Sequence, residues 1–481
     1  MTADTASVAQ VLHPDLCIIG AGAGGLTAAS AATAFGVNVV LVEKGRMGGA
    51  TLNNGALPAQ ALLAAADRAH ALRTGARFGA KSVRFGVDYA AVRAHVQQVI
   101  KAVEPLDSRA RLTGLGIRVI EGTARFLDRD TVAANGVVIK ARRFVIATGS
   151  LPALPAVPGL ADVPHLTGET VFDLEDYPRH LIVIGADNLG LELAQAFRRF
   201  GAEVTVLLTR APLADYDPEC AAPVLDALMR DGIVLRAGIK IAQIRRALAR
   251  VHVEIESEAG VEVVDGTHLL VADGRRPNVN DLDLDRAGIR YAPSGIVVDR
   301  RLLTSNKRVY AIGDVTDAPT YTHVAYHHAG LVIRHALFRM PIDTETHALP
   351  LVTFTDPQLA QVGLTEAEAR AASFPIRVLR WPYRENERAQ SAGLARGHIK
   401  VVTDRNGSVL GATIAGAGAA ENIALWSLAV GQTMNIEALA GVIVPYPTYA
   451  EVGKRAAMTY FNRGLTSPLV RRIIGWLRRF G

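Results

Sequence analysis

The chain of 481 residues is long enough for about three domains of ordinary size. Hydrophobic residues make up 49% of it and charged residues 20%, which excludes an intrinsically disordered chain. The two cysteines are too few for a disulfide-stapled secreted scaffold or for a cysteine-rich zinc or iron–sulfur centre.

The net charge of +6 is concentrated near the C-terminus, where seven basic residues and no acidic residue follow Glu451. The rest of the chain carries a net charge of −1, which argues against a nucleic-acid-binding surface spread over the whole protein. No apolar run is long enough to span a membrane, and residues 1–14 lack the basic start and apolar core of a signal peptide. We therefore expect a cytoplasmic protein.

The first predicted elements form a strand–helix–strand unit. Residues 15–20 predict a buried parallel strand, residues 26–35 an alanine-rich helix and residues 37–42 a second strand. The loop after the first strand has the spacing G-x-G-x-x-G over residues 20–25. This arrangement is typical of a dinucleotide-binding domain; a glycine-rich turn in an ordinary α/β domain is the alternative.

The residue types in this loop suit a bound dinucleotide. Gly20 permits the tight turn, Gly22 lets the backbone approach a pyrophosphate, and Gly25 lets the helix pack closely on the strand. The N-terminus of the helix attracts the phosphates. Glu43, directly after the second strand, can accept hydrogen bonds from a ribose.

A second unit of the same kind starts near residue 181, with a strand over 181–184, a helix that ends at Phe200 and a strand over 204–208. Its loop keeps two of the three glycines, Gly185 and Gly190. We therefore expect a second nucleotide-binding fold.

Two departures in the second unit bear on nucleotide binding. The middle glycine is replaced by Asp187, whose carboxylate would repel a pyrophosphate. The ribose-binding position falls at Leu208, which offers no acceptor, while the nearby Arg210 could favour a 2′-phosphate. The sequence therefore leaves open whether NAD(P)H binds, and whether the ligand is NADH or NADPH.

A crossover between domains is indicated by residues 147–150, which are followed by prolines at 152, 155 and 158. From about residue 346 the pattern changes to strands and helices without a glycine fingerprint, which indicates a third domain.

Taken together, the motifs of residues 15–463 resemble those of the flavoprotein disulfide reductases, the family of dihydrolipoamide dehydrogenase, glutathione reductase and mercuric reductase. Their order and spacing match the family throughout. The markers are the first glycine loop, Ala-Thr-Gly-Ser at 147–150, Gly-Arg-Arg-Pro-Asn at 274–278, Val-Tyr-Ala-Ile-Gly-Asp at 309–314, Thr-Asp-Pro at 355–357, Gly-Leu-Thr-Glu at 363–366 and Pro-Thr-Tyr-Ala-Glu at 447–451.

The resemblance implies an α/β architecture of two Rossmann-like dinucleotide-binding domains, for FAD and NAD(P), and an α+β C-terminal dimerisation domain. The FAD-binding domain would comprise residues 1–150 and 271–345, the NAD(P)-binding-like domain residues 151–270, and the dimerisation domain residues 346–464. FAD as cofactor and a homodimer follow from the same resemblance.

The resemblance also implies cofactor contacts. Asp314 would bind the ribityl chain of FAD, and a helix N-cap is a compatible alternative for this residue. The other contacts to FAD and NAD(P)H would come from Gly20, Gly22, Gly25, Glu43, Gly49, Thr51, Thr148, Gly149, Gly185, Gly190, Arg210 and Gly274.

Where the family carries its redox-active disulfide, this chain has no cysteine. The family stretch G-G-x-C-L-N-x-G-C-x-P-S-K corresponds to residues 48–60, with Thr51 and Ala56 at the two cysteine positions. Thiol–disulfide exchange needs an attacking thiolate, so it cannot proceed at this site. We expect Cys17 to be an inert residue of the first strand and Cys220 to be a free thiol, at the surface or half-buried.

Two further departures concern groups that the family places at its active site. The family lysine is replaced by Gln60, and its partner corresponds to Glu192, for which a solvated helix position is the alternative. The loss of the lysine makes the flavin environment more negative and predicts a lower reduction potential. The family histidine is replaced by Tyr446, while its partner Glu451 is kept. Tyrosine is a poor base at neutral pH, but it can donate a hydrogen bond, stack on a flat acceptor, or pack in a core or interface.

A pair of histidines, His323 and His327, shares a helix face, but no third ligand accompanies them. We therefore expect no metal site and assign the segment to the helix that the family places beside the flavin ring.

Residues 465–481 predict a basic amphipathic helix, with Ser467 as N-cap and Pro468 as first residue. Apolar residues, Trp476 and Phe480 among them, occupy one face and arginines the other. A helix on an anionic membrane and a helix docked on the protein itself or across a dimer both fit this pattern.

These features predict an FAD-dependent oxidoreductase that passes electrons from NAD(P)H through the flavin directly to a non-disulfide acceptor, for which a quinone is the candidate. Its candidate catalytic residues are Thr51, Ala56, Gln60, Glu192, Tyr446 and Glu451. The alternative is an FAD-binding electron-transfer or sensor protein that does not turn over NAD(P)H, which Asp187 favours.

Overall fold

The computed structural model describes residues 10–81, 86–185, 187–248, 250–344, 348–373, 375–462 and 468–480. The first elements are β1 (Gln10–Leu12), β2 (Leu16–Ile19), α1 (Ala23–Ala34), β3 (Val39–Glu43), α2 (Gly49–Asn53), α3 (Ala56–Thr74), α4 (Tyr89–Asp107), α5 (Arg109–Gly114), β4 (Arg118–Glu121), β5 (Arg125–Phe126), β6 (Thr131–Ala134), β7 (Val137–Lys140), β8 (Arg143–Ile146) and β9 (Ser150–Pro152). The first predicted strand–helix–strand unit is confirmed as β2, α1 and β3.

The second predicted unit is confirmed as β11, α6 and β12 of the next group. This group comprises β10 (Leu166–Thr167), β11 (His180–Ile184), α6 (Asn188–Phe200), β12 (Glu203–Leu208), α7 (Pro218–Arg230), β13 (Val234–Ala237), β14 (Lys240–Ala247), β15 (Arg250–Ser257), β16 (Gly260–Gly266), β17 (His268–Val271), β18 (Arg275–Pro277), β19 (Tyr291–Ala292), β20 (Gly295–Ile296), β21 (Val309–Ala311) and α8 (Thr322–Phe338).

The C-terminal group consists of β22 (Leu351–Thr353), β23 (Gln358–Gly363), α9 (Glu366–Ala371), β24 (Ile376–Pro382), α10 (Glu387–Ala392), β25 (His398–Asp404), β26 (Val409–Gly416), α11 (Ala419–Gly431), α12 (Ile436–Gly441), α13 (Glu451–Met458) and α14 (Pro468–Leu477). The predicted tail helix is thus present as α14, and its predicted N-cap, Ser467, lies outside the described residues.

Two five-stranded parallel sheets form the body of the protein. One has the strand order β21-β8-β2-β3-β4 and the other β10-β17-β11-β12-β13. The central strands of both are buried on both faces, which explains their continuous apolar sequences. Because β21 joins the first sheet, a segment far along the chain returns to the sheet that contains the first glycine loop.

Smaller sheets accompany these two units. They have the orders β1-β7-β6-β5, β14-β15-β16, β18-β9 and β19-β20. The antiparallel pair of β9 and β18 brings the motif at 147–150 next to the motif at 274–278, and the backbone N–H of Asn278 donates to Gly149 O at 2.9 Å. Two markers far apart in sequence are therefore one structural feature.

The C-terminal sheet is antiparallel, with the order β22-β23-β26-β25-β24. Helices α11 and α13 pack on it around the buried side chain of Trp426. The mixed α/β class that we predicted is confirmed. None of the helices in the described ranges is long and apolar enough to cross a bilayer.

Candidate functional site

A cavity of about 1130 Å³ lies at the carboxyl ends of both parallel sheets, where α/β proteins bind their ligands. Gly25, Gly185 and Gly190 lie behind its wall, and Tyr446 and Glu451 lie outside it. The predicted residues that line it are Gly20, Gly22, Glu43, Gly49, Thr51, Ala56, Gln60, Thr148, Gly149, Glu192, Arg210, Gly274 and Asp314.

The first glycine loop leaves the start of α1 open to a ligand. Gly20 has a φ of +106°, and a Cβ there would overlap the carbonyl group of Ala147, so glycine is needed at this turn. A Cβ on Gly25 would overlap Gly20 O. In contrast, a Cβ on Gly22 would meet no atom within 4 Å, and this N-cap of α1 has no side-chain capping bond. The N–H groups of the first turn are therefore available to an anion.

Residues around this loop fit a bound FAD. The carboxylate of Glu43 accepts N–H bonds from Ala21 at 2.5 Å and Gly45 at 2.7 Å, which fixes it beside the loop and leaves lone pairs for hydroxyl groups. A Cβ on Gly149 or Gly274 would also meet no atom within 4 Å, so the cavity has room for a ligand beside both backbones.

Asp314 is held towards the cavity by a polar group that sequence analysis did not identify. Its Oδ2 accepts the hydroxyl of Ser150 at 2.7 Å, and that hydroxyl accepts Nε of Arg275 at 2.7 Å. The helix N-cap alternative for Asp314 is wrong: it lies in a 3-10 turn whose N-cap is Ile312, and α8 begins only at Thr322. An acceptor positioned in this way suits a hydroxyl-rich ligand such as a ribityl chain.

A small, uncharged surface occupies the position of the family disulfide. The Thr51 hydroxyl lies 3.2 Å from that of Thr322, the first residue of α8, and Ala56 begins α3 beside it. Thr322 was missed by sequence analysis, although it starts the helix that we had assigned to the flavin. At the two cysteine positions the chain therefore has one hydroxyl group and one methyl group, and the hydroxyl is held by Thr322.

Neither cysteine replaces the missing pair. Cys17 is buried in β2, as expected, and burial raises the pKa of its thiol. The expectation of a surface or half-buried thiol at Cys220 is wrong, because α7 packs on β26 and buries it completely. Its Sγ lies 3.4 Å from His398 Nε2 and 3.7 Å from Thr413 O, and burial raises its pKa as well.

The N-terminus of α6 differs from that of α1 because a side chain caps it. The carboxylate of Asp187 accepts the N–H of Gly190 at 2.6 Å, and the residue lines the cavity. Burial raises the pKa of Asp187 to about 6, so at neutral pH a negative charge lies where the fingerprint would hold a pyrophosphate. Arg210, 4.0 Å from the carboxylate of Asp215, lines the same part of the cavity.

Glu192 is buried, so its solvated alternative is wrong. Its side chain is 6% exposed and accepts the N–H of Phe354 at 2.8 Å, whereas Gln60 is exposed to the cavity. Burial raises the pKa of Glu192 to about 8, with the carboxylate of Asp187 acting in the same direction. Glu192 is therefore largely neutral at neutral pH, and the lower reduction potential stays a prediction.

A hydroxyl-rich wall that sequence analysis missed lies next to Glu192. The amide of Asn188 donates towards Tyr216 at 3.1 Å and Tyr321 at 3.0 Å, and the hydroxyl of Thr353 donates to Tyr216 at 2.9 Å. These four residues are each at least 28 residues apart in the chain, so no local pattern signals them.

Tyr446 is 70% exposed, so packing in the core of its own chain is excluded, while an interface with another chain is still consistent. Glu451 starts α13, and its buried Oε2 has no hydrogen-bond partner among the described residues. The structure therefore does not bring these two residues to the cavity of the same chain.

The histidines of α8 make contacts within the protein. His323 Nε2 lies 2.9 Å from Pro350 O, and His328 Nδ1 accepts the N–H of Gly313 at 3.2 Å. Over the described part of the chain, no group of three or more His, Cys, Asp or Glu side chains is placed to hold a metal ion.

Helix α14 has no buried residue in the described chain. Its apolar side chains are exposed apart from the half-exposed Val470, and the Trp476 ring contacts that of Phe480, which follows the end of the helix, with the centroids 4.8 Å apart. Docking on the body of the same chain, one of our alternatives, is therefore wrong for this helix.

The two parallel sheets and this cavity at their carboxyl ends are the architecture of a flavoprotein with two Rossmann-like dinucleotide-binding units. A family model described as pyridine nucleotide-disulphide oxidoreductase matches residues 14–329, and the dimerisation domain of the same family matches residues 349–457. The chain belongs to the pyridine nucleotide-disulfide oxidoreductase family, whose members are FAD-dependent oxidoreductases that use NAD(P)H.

Individual relatives are similar to this chain over nearly its whole length. A mercuric reductase of Streptomyces lividans is 34% identical over 93% of this chain and 96% of its own length. A dihydrolipoyl dehydrogenase of Thermus scotoductus is 36% identical over 91% and 95%. Among solved structures, LpdA of Mycobacterium tuberculosis superposes with a TM-score of 0.84 at 26% identity over 93% and 99%. The flavoprotein disulfide reductase RclA of Escherichia coli has the same fold, with a TM-score of 0.84.

Proposed function

We propose that this protein is an FAD-dependent NAD(P)H oxidoreductase that passes electrons from the flavin directly to a non-disulfide acceptor, with a quinone as the candidate. The observation that carries this proposal is the replacement of the dithiol by Thr51 and Ala56 on the wall of the cavity. Both thiols of the chain are buried elsewhere, so a dithiol relay has no sulfur available at the flavin. The remaining uncharged space suits a flat acceptor.

The residues of the first sheet support binding of FAD. The open start of α1 would hold the pyrophosphate, Glu43 the adenosine ribose, and Asp314 the ribityl chain. FAD supplies two-electron redox chemistry when bound; the protein residues position it and exclude competing groups. We also propose the division into residues 1–150 with 271–345, 151–270, 346–464 and 465–481, which the return of β21 to the first sheet supports. A homodimer would place Tyr446 at an interface.

A second candidate function is favoured by the capped N-terminus of α6. The Asp187 carboxylate occupies the anion position of the second nucleotide site. Under this alternative, the protein binds FAD but does not turn over NAD(P)H, and serves as an electron-transfer or sensor protein.

The exposed tail indicates the place in the cell at which the protein would bind its acceptor. Helix α14 presents an apolar face that includes Trp476, with Arg471 and Arg472 on the opposite face, and Arg478, Arg479 and Phe480 follow its end. This is the pattern of a helix that lies on an anionic membrane surface. We propose that the tail holds the protein at the membrane, where lipid quinones reside.

The decisive assay compares acceptors under steady-state conditions. Purified protein is supplied with NADH or NADPH and with a naphthoquinone, lipoamide or an aromatic disulfide. The proposal predicts turnover with the quinone alone. Turnover of a disulfide would contradict it, and reduction of no acceptor by either nucleotide, with flavin still reducible by dithionite, would favour the second candidate.

A further inference from the structure

Glu192 is a buried acid on the wall of the cavity. The lysine that pairs with it in the family is replaced by Gln60 in this chain, so Glu192 has no such cation beside it. Its side chain lies one turn after the start of α6 and lines the cavity. Oε1 accepts the N–H of Phe354, which leaves Oε2 to carry a proton. On the neighbouring helix α3, the position of the family lysine holds the neutral Gln60.

The groups around Glu192 determine which form it takes. Asp187, on its own helix, and burial both favour the neutral acid, whereas the N–H of Phe354 favours the carboxylate. From the other sides, the hydroxyls of Tyr216 and Tyr321 interact with it and are themselves neutral, because burial raises the pKa of each. With a pKa of about 8, Glu192 carries a proton at neutral pH and can lose it in a reaction.

Polar contacts hold this acid in place. Glu192, Gln195 and Arg199 lie on one face of α6; Glu192 binds Phe354, and the other two bind Asp356. Gln195 accepts the N–H of Asp356 at 2.7 Å, and Arg199 donates to the carboxylate of Asp356 at 2.7 Å. The acid is therefore anchored between α6 and the connection from β22 to β23 in the C-terminal sheet.

We propose that Glu192 is a proton donor to the acceptor bound in the cavity, an inference that rests on the function proposed above. A quinone needs two electrons and two protons to become a hydroquinone. FAD reduced by NAD(P)H would supply both electrons and one proton. For the second, the O–H bond of Glu192 breaks, the proton joins an acceptor oxygen, and the carboxylate regains a proton from water in the cavity.

The first test is an infrared titration of the purified protein, which needs no turnover. The band of a protonated carboxylic acid should be present at neutral pH, disappear with a midpoint near 8 and be missing in Glu192→Gln, which keeps an acceptor for the Phe354 N–H. Gln60→Lys should move the midpoint to lower pH, because a cation favours the carboxylate. Gln60→Met, which adds no charge, should leave it in place. A wild-type protein without this band at neutral pH would overturn the proposal.

The second test measures the acceptor half-reaction with protein that has been reduced by dithionite, so that nucleotide binding is not involved. Oxidation by a naphthoquinone should slow about 10²–10⁴-fold in Glu192→Gln, the range for loss of a general acid, and the wild-type rate should fall above the infrared midpoint. Equal rates in wild type and Glu192→Gln would overturn the role of Glu192 alone. Failure of quinones to oxidise the wild type would contradict the proposed function itself. Retained flavin absorbance shows that each variant is folded.

Discussion

The chemistry of this protein depends on a few side chains at the carboxyl ends of its two parallel sheets. Thr51 and Ala56 remove the sulfur atoms on which thiol exchange depends, and the two cysteines elsewhere are inaccessible. A thiol buried in an apolar environment is a poor nucleophile because burial disfavours the thiolate. The absence of thiol chemistry is therefore testable directly.

Treatment of the native protein with N-ethylmaleimide should leave its quinone reductase activity unchanged. Mass spectrometry should find label on Cys17 and Cys220 only after denaturation, because both Sγ atoms are buried. The matched control is the double variant Thr51→Cys/Ala56→Cys, which should be labelled natively after reduction. Activity lost together with native labelling of either original cysteine would contradict the account.

Asp187 should make nucleotide binding depend on pH. Its carboxylate, with a pKa near 6, is protonated as the pH falls, and repulsion of the pyrophosphate then weakens. NAD(P)H should therefore reduce the flavin with a lower KM below pH 6 than above it. Asp187→Asn should remove this dependence and lower the KM at neutral pH about tenfold or more, since one close like charge is worth up to ~4 kcal/mol.

The matched control for this change is Asp273→Asn, which removes a nearby carboxylate that does not cap α6. Its effect on the KM should be small. If Asp187→Asn and Asp273→Asn change the KM equally, the position of Asp187 at the helix terminus has no special role.

Ion pairs that include buried side chains join helix α7 to the C-terminal sheet. The clearest case is the Lys400 cluster, in which Nζ of Lys400 on β25 lies 2.8 Å from Asp217, 3.0 Å from Glu219 and 2.9 Å from Glu366. Asp217 caps α7 and Glu366 starts α9. Arg380 on β24 adds two bonds to Glu219, at 2.7 and 2.8 Å. The cluster therefore fixes α7 to the C-terminal sheet.

Lys400→Met should destabilise the protein by about 3 kcal/mol, because it leaves the buried carboxylate of Asp217 without its cation. The measurement is urea unfolding followed by circular dichroism. Lys240→Met is the matched control, since it breaks an exposed pair with Glu256 and should cost less than about 1 kcal/mol. Equal losses for the two variants would show that burial of the cluster contributes nothing.

The same cluster predicts the direction of acid sensitivity. The bonds from Arg380 lower the pKa of Glu219 to about 2, with Lys400 acting in the same direction. Its folded-state pKa lies below its unfolded value of about 4.3, so its contribution to stability is present above that value. This contribution should be lost as the pH falls towards 2. A stability that rises over this range would contradict the assignment.

Most helices and strands that we expected could be predicted from the sequence, but the burial of particular side chains could not. Glycine spacing and apolar runs predicted both strand–helix–strand units and the ends of α6 to within a few residues. Local patterns could have identified Asp187 as an N-cap. The burial of Cys220 and Glu192 depends on contacts with His398 and Phe354, more than a hundred residues away in the chain, and no periodicity reports such contacts.

In the whole molecule, the cavity and the tail have separate proposed roles: the cavity would bind the acceptor, and the tail would bind the membrane. Membrane binding by the tail would bring the cavity close to lipid quinones. Helix α14 is exposed on all sides in the described chain. An amphipathic helix with arginines on its polar face binds anionic lipid by apolar burial and by charge together.

Deletion of residues 465–481 should abolish binding to vesicles that contain an anionic phospholipid and lower turnover with a membrane quinone, but not with a water-soluble one. Replacement of the four arginines by glutamine should weaken binding about fivefold per arginine, at ~1 kcal/mol each, while neutral vesicles serve as the control. The replaced residues are Arg471, Arg472, Arg478 and Arg479. A truncated protein that still binds anionic vesicles, with quinone reduction intact, would remove the tail from the account.

We propose that the flavin is the only redox centre between donor and acceptor, and an anaerobic titration measures this. The flavin absorbance of the purified protein is followed while NADH, NADPH or dithionite is added in small steps, and a naphthoquinone is added at the end. The account predicts complete bleaching after one two-electron equivalent per flavin, and recovery of the oxidised spectrum with the quinone. Uptake of a second equivalent before the flavin bleaches would reveal a further redox centre and contradict the claim.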